Sequence, residues 1–545
     1  MKLLAGLLLG LVALATALRA DDAVWQWSVP VGSGRAYLWV PEQCQCVRAV
    51  LLAQHNMIER GVLQHATMRR TLAEQGIAEV FIVPSVDAVF RFDQGAGERF
   101  DGILRALADE SGYAEIASAP VVPMGHSAHA SFPWNYAAWN PARTLAAMSL
   151  KGDAPLTDLT GSGRPNPEWG QRTLDGVPGL MVMGEYEWWE LRLAPLVRYL
   201  AAHPAAPLAL LADAGHGHFD ATDSLVEFLA LFLRKAADAR LPRNAGGVLR
   251  PVNPAQGWLV DRWRGEEALR ARAAPYAAYA GEKAEAFWCF DEEMARATET
   301  RYAAGRGKRK EQVGFRQNET WLPISNSHAG VELKFLPESD GLTFRIEAGF
   351  ITPLPPNPPV ATKDQRPPVV TVVPSSAAPG MHAAGTVSIS PIIGPVAEQS
   401  PGVFRFAPDR MFSPGDRRTY EAWFYAHHPG DTEFKGAVQQ ALLRLPQFTE
   451  GAEQVIAFSA IGDQRVGTST VTLGATSSAG LTVGYYVREG PAVVRDGALH
   501  FTALPPRAKL PVKITVVAWQ FGRGTESKVR AAAPVERTFF IGANR

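Results

Sequence analysis

Residues 120–129 read PVVPMGHSAH, and the prediction of the fold starts from this segment. An apolar run suited to a β-strand leads directly into a turn that contains Ser127, and a helix-compatible segment continues to Trp139. A sharp strand-to-helix turn of this kind lifts a serine Oγ above the edge of a sheet, and the small residues Gly125 and Ala128 allow the close approach it needs. Backbone N–H groups at the start of the helix favour developing negative charge. The stretch therefore predicts a nucleophilic serine.

The chain on both sides of this turn alternates strands with helices. Residues 24–31 and 35–40 predict a hairpin around a Gly-Ser-Gly turn. Further strands are predicted at 49–53, 79–84, 120–124, 145–150, 179–183 and 208–212, with helices at 62–74, 100–111, 128–139, 188–202 and 221–237. Continuous apolar strands that alternate with helices indicate an α/β domain with a mostly parallel sheet and helices on both faces.

The composition and the pattern of predicted elements change after residue 242. Residues 243–315 are charged and Ala-rich, and the basic run at 305–310 is interpreted as a solvated loop. Strands then dominate, and residues 351–380 hold nine prolines, which favours extended chain. We expect an α/β domain at 21–242, a middle region at 243–448 with a helical or loop segment before a β-sandwich, and a second β-sandwich at 449–545.

Residues 1–20 have the composition of a targeting segment. Lys2 precedes an apolar run over residues 3–18, and Arg19 and the small residue Ala20 follow that run. The run is shorter than the roughly 20 apolar residues that cross a bilayer, so a cleaved secretory signal peptide is favoured over an uncleaved anchor. The expected location is secreted or periplasmic, with no membrane span after cleavage.

The composition excludes several classes of protein. Of 545 residues, 47% are hydrophobic and 20% charged, which excludes a disordered or fibrous chain. The 54 basic residues balance 54 acidic ones, which argues against a nucleic-acid partner. Three cysteines are too few for a disulfide framework. Cys44, Cys46 and Cys289 could pair in an oxidising compartment or remain buried free thiols, and the oligomeric state stays open.

Over about residues 24–240 the chain resembles the α/β-hydrolase superfamily, and in particular its serine esterases. The resemblance rests on the antiparallel start, the strand–turn–helix at Ser127 and the chain order of the possible triad members. It departs from the usual G-x-S-x-G pattern at the last position, where His129 replaces a small residue. Residues 454–521, with the pattern SAGLTV, separately resemble a bacterial immunoglobulin-like module.

The superfamily order of serine, acid and histidine implies the other members of a triad. The histidine follows the last strand, where His216 and His218 compete, and the resemblance favours His218 because it directly precedes an aromatic residue and the final helix. The acid follows the strand at 179–183, where the resemblance favours Glu187 and leaves Glu185 as the alternative.

An oxyanion hole needs two backbone donors. One is the N–H of Ala128, directly after the nucleophile, and the other comes from the loop after the first parallel strand, where Asn56 and Met57 are the candidates. Candidate pocket residues near these loops, several of them aromatic and suited to stacking on sugar or aryl rings, are His55, His126, His129, Trp134, Trp188 and Trp189.

A metal site is the competing interpretation of the histidines. His126, His129, His216 and His218 could converge, but no carboxylate or cysteine in the sequence has metal-ligand spacing to them. We therefore expect no metal and no cofactor.

These inferences lead to one hypothesis with two rivals. The chain is expected to be an exported serine carboxylesterase that forms an acyl-enzyme and acts on esters of a carbohydrate or plant-type polymer. The first rival is a non-catalytic binding or adhesion protein on a degenerate hydrolase scaffold, which the irregular His129 supports. The second is a polyester depolymerase or peptidase that uses the same triad.

Overall fold

The computed structural model describes residues 24–157, 164–187, 189–242, 247–265, 267–325, 330–351, 371–372, 381–412, 418–525 and 527–543. The predicted signal peptide at 1–20 and most of the proline-rich stretch lie outside these residues, so both stay predictions. None of the helices in the described ranges is long and apolar enough to cross a membrane.

The first domain is built on an eight-stranded sheet. Its strands are β1 (Trp27–Val31), β2 (Gly34–Trp39), β3 (Ala49–Gln54), β4 (Ile77–Val83), β5 (Val121–His126), β6 (Ala147–Leu150), β7 (Gly179–Gly184) and β8 (Leu208–Asp213). They are ordered β1-β2-β4-β3-β5-β6-β7-β8. The pairs β1–β2 and β2–β4 are antiparallel, and β3 to β8 are parallel. The predicted mostly parallel sheet with an antiparallel start is confirmed.

Helices cover both faces of this sheet. They are α1 (Glu59–Gln64), α2 (Ala66–Gln75), α3 (Ala96–Ser111), α4 (Ser131–Trp139), α5 (Trp189–Ala202) and α6 (Asp223–Arg240). The core on one face includes residues of α1, α2 and α6, whereas α3, α4 and α5 contribute to the cores on the other. Strands β3, β5, β7 and β8 are buried along their whole length because both faces are covered, which explains their continuous apolar sequences.

Residues 247–305 pack against the same domain. Their elements are β9 (Trp258–Asp261), β10 (Ala274–Pro275), β11 (Ala286–Cys289) and α7 (Glu292–Gly305). Trp263, Met294 and Tyr302 belong to the core cluster beneath the large sheet, and the hydroxyl of Tyr302 accepts a hydrogen bond from the backbone N–H of Ala212 in β8. The three cysteines are free thiols.

The later residues form β-rich structure. The middle strands are β12 (Val313–Gln317), β13 (Thr320–Trp321), β14 (Ile324–Ser325), β15 (Val331–Leu333), β16 (Thr343–Arg345), β17 (Glu347–Phe350), β18 (Thr371–Val372), β19 (Ser388–Ile393), β20 (Val396–Ser400), β21 (Val403–Phe406), β22 (Glu421–His428) and β23 (Ala437–Arg444). The sheets β15-β23-β22-β19 and β16-β21-β20 both contribute to one apolar core.

A second β-rich unit ends the chain. Its strands are β24 (Ile456–Phe458), β25 (Gln464–Arg465), β26 (Thr470–Thr472), β27 (Ala475–Ser477), β28 (Gly484–Glu489), β29 (Ala492–Arg495), β30 (Ala498–Phe501), β31 (Val512–Trp519) and β32 (Val535–Gly542). The sheets β25-β32-β31-β28 and β26-β30-β29 both contribute to a separate core. Both units are consistent with the predicted β-rich regions, while the immunoglobulin-like assignment and the domain boundaries stay predictions.

The terminal β-rich unit docks on the first domain through a buried carboxylate. Glu489 accepts hydrogen bonds from Ser28 Oγ at 3.0 Å and from Thr515 Oγ1 at 2.8 Å, and it forms an ion pair with Arg35. Ser28 and Arg35 lie on β1 and β2. The end of the chain is therefore tied to the antiparallel edge of the large sheet.

Candidate active site

Ser127 lies on a strained turn between β5 and α4. The helix begins at Ser131 rather than at the predicted residue 128, because residues 127–129 form a single 3-10 turn. The backbone of Ser127 has a φ of 53°, in the left-handed region that residues other than glycine rarely adopt. A side chain at Gly125 would place its Cβ 2.0 Å from the carbonyl oxygen of His129, so only glycine fits there. The tight turn forms with a histidine at its last position.

The structure brings Ser127, His218 and Glu187 together. Ser127 Oγ lies 2.7 Å from His218 Nε2, and His218 Nδ1 lies 2.8 Å from Glu187 Oε2. The three residues follow the carboxyl ends of β5, β8 and β7, which meet at one edge of a parallel sheet. The arrangement allows the imidazole to take the serine proton while the carboxylate orients its other nitrogen.

Glu187 is held as an anion. Its Oε1 accepts a hydrogen bond from the backbone N–H of Gly184 at 2.9 Å, and Oε2 forms an ion pair with Arg192. Burial opposes ionisation of this side chain, but the charges of Arg192 and His218 outweigh burial and hold the pKa of Glu187 well below its usual range. A fixed negative charge beside the imidazole stabilises the imidazolium that forms when the serine is deprotonated.

The two alternative triad members have other partners. His216 Nδ1 lies 2.6 Å from Asp220 Oδ2, and Glu185 Oε2 accepts the backbone N–H of Gly215 at 2.9 Å. Glu185 Oε1 lies 2.7 Å from Lys435 Nζ. Each alternative therefore holds the loops that carry the triad and is not part of the hydrogen-bonded relay itself.

His216 belongs to a buried cluster of charges that the sequence analysis did not find. Oxygen and nitrogen atoms of Asp213, His216 and Asp220 lie within 4.8 Å of one another, a grouping that could hold a cation. Lys151 Nζ lies 2.6 Å from Asp213 Oδ2, and Arg301 pairs with the same carboxylate. Protein cations thus already compensate these carboxylates. Asp213 and Asp220 flank the histidines, but nothing in the sequence shows that both point inward.

The two oxyanion candidates in the loop after β3 differ in their hydrogen bonding. The N–H of Met57 donates to Glu59 Oε2 at 2.8 Å, so this candidate from the sequence is already engaged. Asn56 Nδ2 donates to the carbonyl oxygen of His126 at 2.7 Å. Among the residues that the structure describes, no hydrogen bond engages the backbone N–H of Asn56 or of Ala128. These two N–H groups are the available pair of donors.

Trp134 is not a pocket residue, contrary to the sequence prediction. Its side chain is 1% exposed, and its Nε1 donates to the carbonyl oxygen of Asp153 at 2.7 Å. The indole packs in a core cluster with residues of β7 and α5, because this face of α4 points at the sheet. Trp188 and the side chain of Trp189, the residue at which α5 begins, lie outside what the structure describes, so their assignment to the pocket stays a prediction.

The two histidines beside Ser127 are buried as well. His126 is 0% and His129 5% exposed, so neither is an open wall of a pocket as predicted. The ring of His126 contacts the carbonyl oxygen of His218 at 2.7 Å, and burial, with a contribution from His218, lowers its pKa well below the usual value. Burial likewise lowers the pKa of His129 to about 3. Both rings are therefore neutral packing elements beneath the site.

His55 is the predicted pocket residue that does line a cleft. The opposite wall comes from the middle β-rich region and includes Met411, Phe412 and Trp423. Charged side chains at the cleft are Arg60, Asp409, Arg418 and Glu421. The ring of Trp423 packs on that of Phe219 at 5.4 Å, and Phe219 packs edge-on against His218 at 4.6 Å. The sequence does not predict that the middle region lines this cleft.

A search of solved structures finds hydrolases that are similar to part of this chain. An arylesterase structure covers 40% of this chain and 87% of its own, at 12% identity and a TM-score of 0.29. A dienelactone hydrolase from Anabaena variabilis covers 40% and 98%, at 19% identity and a TM-score of 0.28. An S-formylglutathione hydrolase from Agrobacterium tumefaciens covers 39% and 93%, at 14% identity and a TM-score of 0.29. No protein-family model matches the chain. No curated protein matches it either.

Proposed function

We propose that the protein is a serine carboxylesterase that works through an acyl-enzyme. The observation that carries the proposal is the continuous relay from Ser127 Oγ to His218 Nε2 at 2.7 Å and from His218 Nδ1 to Glu187 at 2.8 Å. Ser127 and Ala128 are partly exposed, so a substrate can reach the nucleophile.

The geometry supports a two-step reaction. Ser127 Oγ attacks the ester carbonyl carbon while His218 Nε2 takes its proton, and the N–H groups of Asn56 and Ala128 stabilise the negative oxygen of the tetrahedral intermediate. The C–O bond of the ester then breaks, and His218 gives its proton to the departing alkoxide. Water, activated by His218, attacks the acyl-enzyme, which releases the acid and restores Ser127.

The proposed substrate is an ester of a carbohydrate or a plant-type polymer. The support is a cleft that reaches the oxyanion loop at His55 and that the triad residues do not themselves line. It combines the aromatic Trp423 and Phe412 with charged side chains, a mixture suited to a ligand with both ring faces and hydroxyl groups. Export to a secreted or periplasmic location rests on residues 1–20 and fits a polymer that stays outside the cell.

The rival hypothesis is a non-catalytic binding or adhesion protein on a degenerate hydrolase scaffold. The sequence feature that supports it is His129, which replaces a small residue at the end of the turn. The buried ring of His129 and the glycine at 125 accommodate that residue without opening the turn, which weakens the rival. A polyester depolymerase or peptidase would share the triad and differ in the shape of its cleft.

A substrate panel tests the proposal. The purified protein is expected to hydrolyse short-chain p-nitrophenyl esters and to release acyl groups from an acylated polysaccharide, with peptides untouched. Ser127→Ala should abolish both activities. Full activity in that variant would overturn the assignment, and cleavage of peptides or a polyester film in preference to sugar esters would replace the proposed substrate class.

A further inference from the structure

Glu59 is a buried carboxylate that the proposed chemistry does not use. It begins α1, two residues after Met57, and its side chain is 0% exposed. Its Oε2 accepts the backbone N–H of Met57 at 2.8 Å, and its Oε1 accepts the backbone N–H of His126 at 2.8 Å. One side chain therefore bridges the loop after β3 and the strand end that carries Ser127.

A second bond joins the same two segments. The side-chain amide of Asn56 donates to the carbonyl oxygen of His126 at 2.7 Å. Both backbone polar groups of His126, the residue directly before the nucleophile, are thus engaged by side chains of residues 56–59. The loop after β3 is therefore hydrogen-bonded to both the N–H and the carbonyl group of His126, which fixes it to the end of β5.

The burial of the Glu59 carboxylate is unfavourable in free energy for its ionised form. Burial raises the pKa of Glu59 to about 7, against the opposing effect of three backbone N–H groups, those of Glu59 itself, His126 and Met57, and of the charge of Arg418. His129 Nδ1 lies 3.8 Å from Oε1, and the ring of that histidine hydrogen-bonds the backbone of Gln54. A carboxylate is costly to bury when an apolar residue would fill the same space, so its hydrogen bonds to the two other segments, at Met57 and His126, are the feature that needs an explanation.

We propose that Glu59 is a positioning residue that sets the separation of the two oxyanion donors. The N–H of Asn56 is one residue from the N–H that Oε2 accepts, and the N–H of Ala128 is two residues from the N–H that Oε1 accepts. The two oxygens of one planar carboxylate have a fixed spacing. The two backbone segments that they hold, and with them the two donor N–H groups, are therefore kept at a fixed separation. This inference rests on the proposed function, because the donors matter only if an oxyanion forms at Ser127.

The expected signature is a loss of rate without a loss of substrate binding. Oxyanion donors act in the transition state, so their misplacement lowers kcat and leaves KM nearly unchanged. Glu59→Gln keeps the size of the side chain but presents an NH₂ group to one of the two N–H donors. We expect kcat to fall about 10- to 100-fold, in line with the effect of an ångström-scale misplacement, and inhibition by phenylboronic acid, whose serine adduct is tetrahedral, to weaken by a similar factor.

Glu79→Gln is the matched control. Glu79 is also 0% exposed, its pKa is also raised by burial to about 7, and it lies on β4 of the same sheet, paired with Arg69. Among the described residues, no hydrogen bond or ion pair joins Glu79 to the oxyanion loop or to the turn at Ser127. Its variant should change urea stability while kcat and boronate inhibition stay within about twofold of the wild type.

The outcomes separate the two proposals. Wild-type kcat and boronate inhibition in a folded Glu59→Gln variant would overturn the positioning role. Equal losses in Glu59→Gln and Glu79→Gln that follow stability alone would overturn it as well. If Glu59→Gln does not fold, Glu59→Asp, which keeps the charge but shortens the reach, should show the same kcat loss at unchanged KM, and wild-type kcat in it would contradict the role. A wild-type protein with neither ester hydrolysis nor serine labelling would instead refute the proposed function itself.

Discussion

The ammonium of Lys435 lies 2.7 Å from Glu185 Oε1, although 250 residues separate the two in the chain. Both side chains are almost fully buried, Lys435 at 0% and Glu185 at 10% exposure. The hydroxyl of Tyr186 donates to the carbonyl oxygen of Gly436 at 2.9 Å, beside this ion pair. The two residues directly before β23 therefore hold the loop that carries Glu187, and the middle β-rich region is part of the framework of the site.

Loss of the Lys435–Glu185 ion pair should reduce both stability and rate. Lys435→Met leaves the carboxylate of Glu185 buried beside an apolar group, which typically costs about 3–5 kcal/mol. The loop of Glu187 should loosen, and kcat on a p-nitrophenyl ester should fall. The double variant Lys435→Met with Glu185→Gln should recover part of the stability in urea unfolding. Additive losses in the double variant would contradict a direct interaction.

The negative charge of Glu187 should be essential for rate. Glu187→Gln keeps the shape of the side chain but cannot stabilise an imidazolium on His218, so kcat should fall about 10³- to 10⁴-fold with little change in KM. Glu190→Gln is the control, because Glu190 is 61% exposed and pairs with Arg262. Steady-state kinetics on one ester substrate measures both. A similar small loss in the two variants would exclude Glu187 as the orienting acid.

His216 should contribute pH-dependent stability and little to labelling of the serine. Burial opposes its protonation, but the charges of Asp213 and Asp220 outweigh burial and raise the pKa of His216 above the ordinary value of a histidine. The folded state then binds the proton more tightly than the unfolded state. The stabilisation is complete below the unfolded pKa and disappears as pH rises through the folded pKa.

Urea unfolding of the wild type and His216→Gln measures this effect. The stability difference between them should be larger at about pH 5.5 than at about pH 9. The variant should still react with a fluorophosphonate probe, whereas His218→Gln should not. A difference independent of pH would show that the proton on His216 does not stabilise the fold.

The Glu489 contact should couple the terminal β-rich unit to the first domain. Glu489→Ala removes the partner of Arg35 and the acceptor of Ser28, so the unfolding free energy should fall by about 3 kcal/mol or more. The control is Glu450→Ala, because Glu450 is 79% exposed and its pair with Lys528 is a surface contact. Calorimetry should show a lower or divided transition only for Glu489→Ala. An unchanged profile would mean that docking does not depend on this carboxylate.

The parts of the site that were predictable from sequence depend on local patterns. The apolar run that leads into Gly125 and Ser127 predicts both the strand and the turn, because both depend on residues that are adjacent in the sequence. The placement of His218 and Glu187 after two further apolar strands follows from chain order, since parallel strands present their carboxyl ends at one edge. The structure extends β5 by two residues beyond the predicted 120–124, to His126.

The parts that were not predictable depend on contacts between distant residues. Glu59 stands in the first turn of a helix, where an acidic residue is common and carries no further signal. Trp134 is predicted to line a pocket because it follows the turn at Ser127 closely in the chain, but the orientation of α4 turns its side chain into the core. Lys435 and Trp423 belong to a region with no catalytic pattern of its own, and only the folded chain brings them to the site.

The most direct test of the central claim is the site of fluorophosphonate labelling. Intact-mass analysis and peptide mapping of the treated protein should give one phosphonyl adduct, located on Ser127, and the adduct should be absent from folded Ser127→Ala. Labelling should be slowed strongly in His218→Gln, since that variant lacks the base. An unlabelled wild-type protein, or an adduct that persists in Ser127→Ala, would contradict the assignment of Ser127 as the nucleophile.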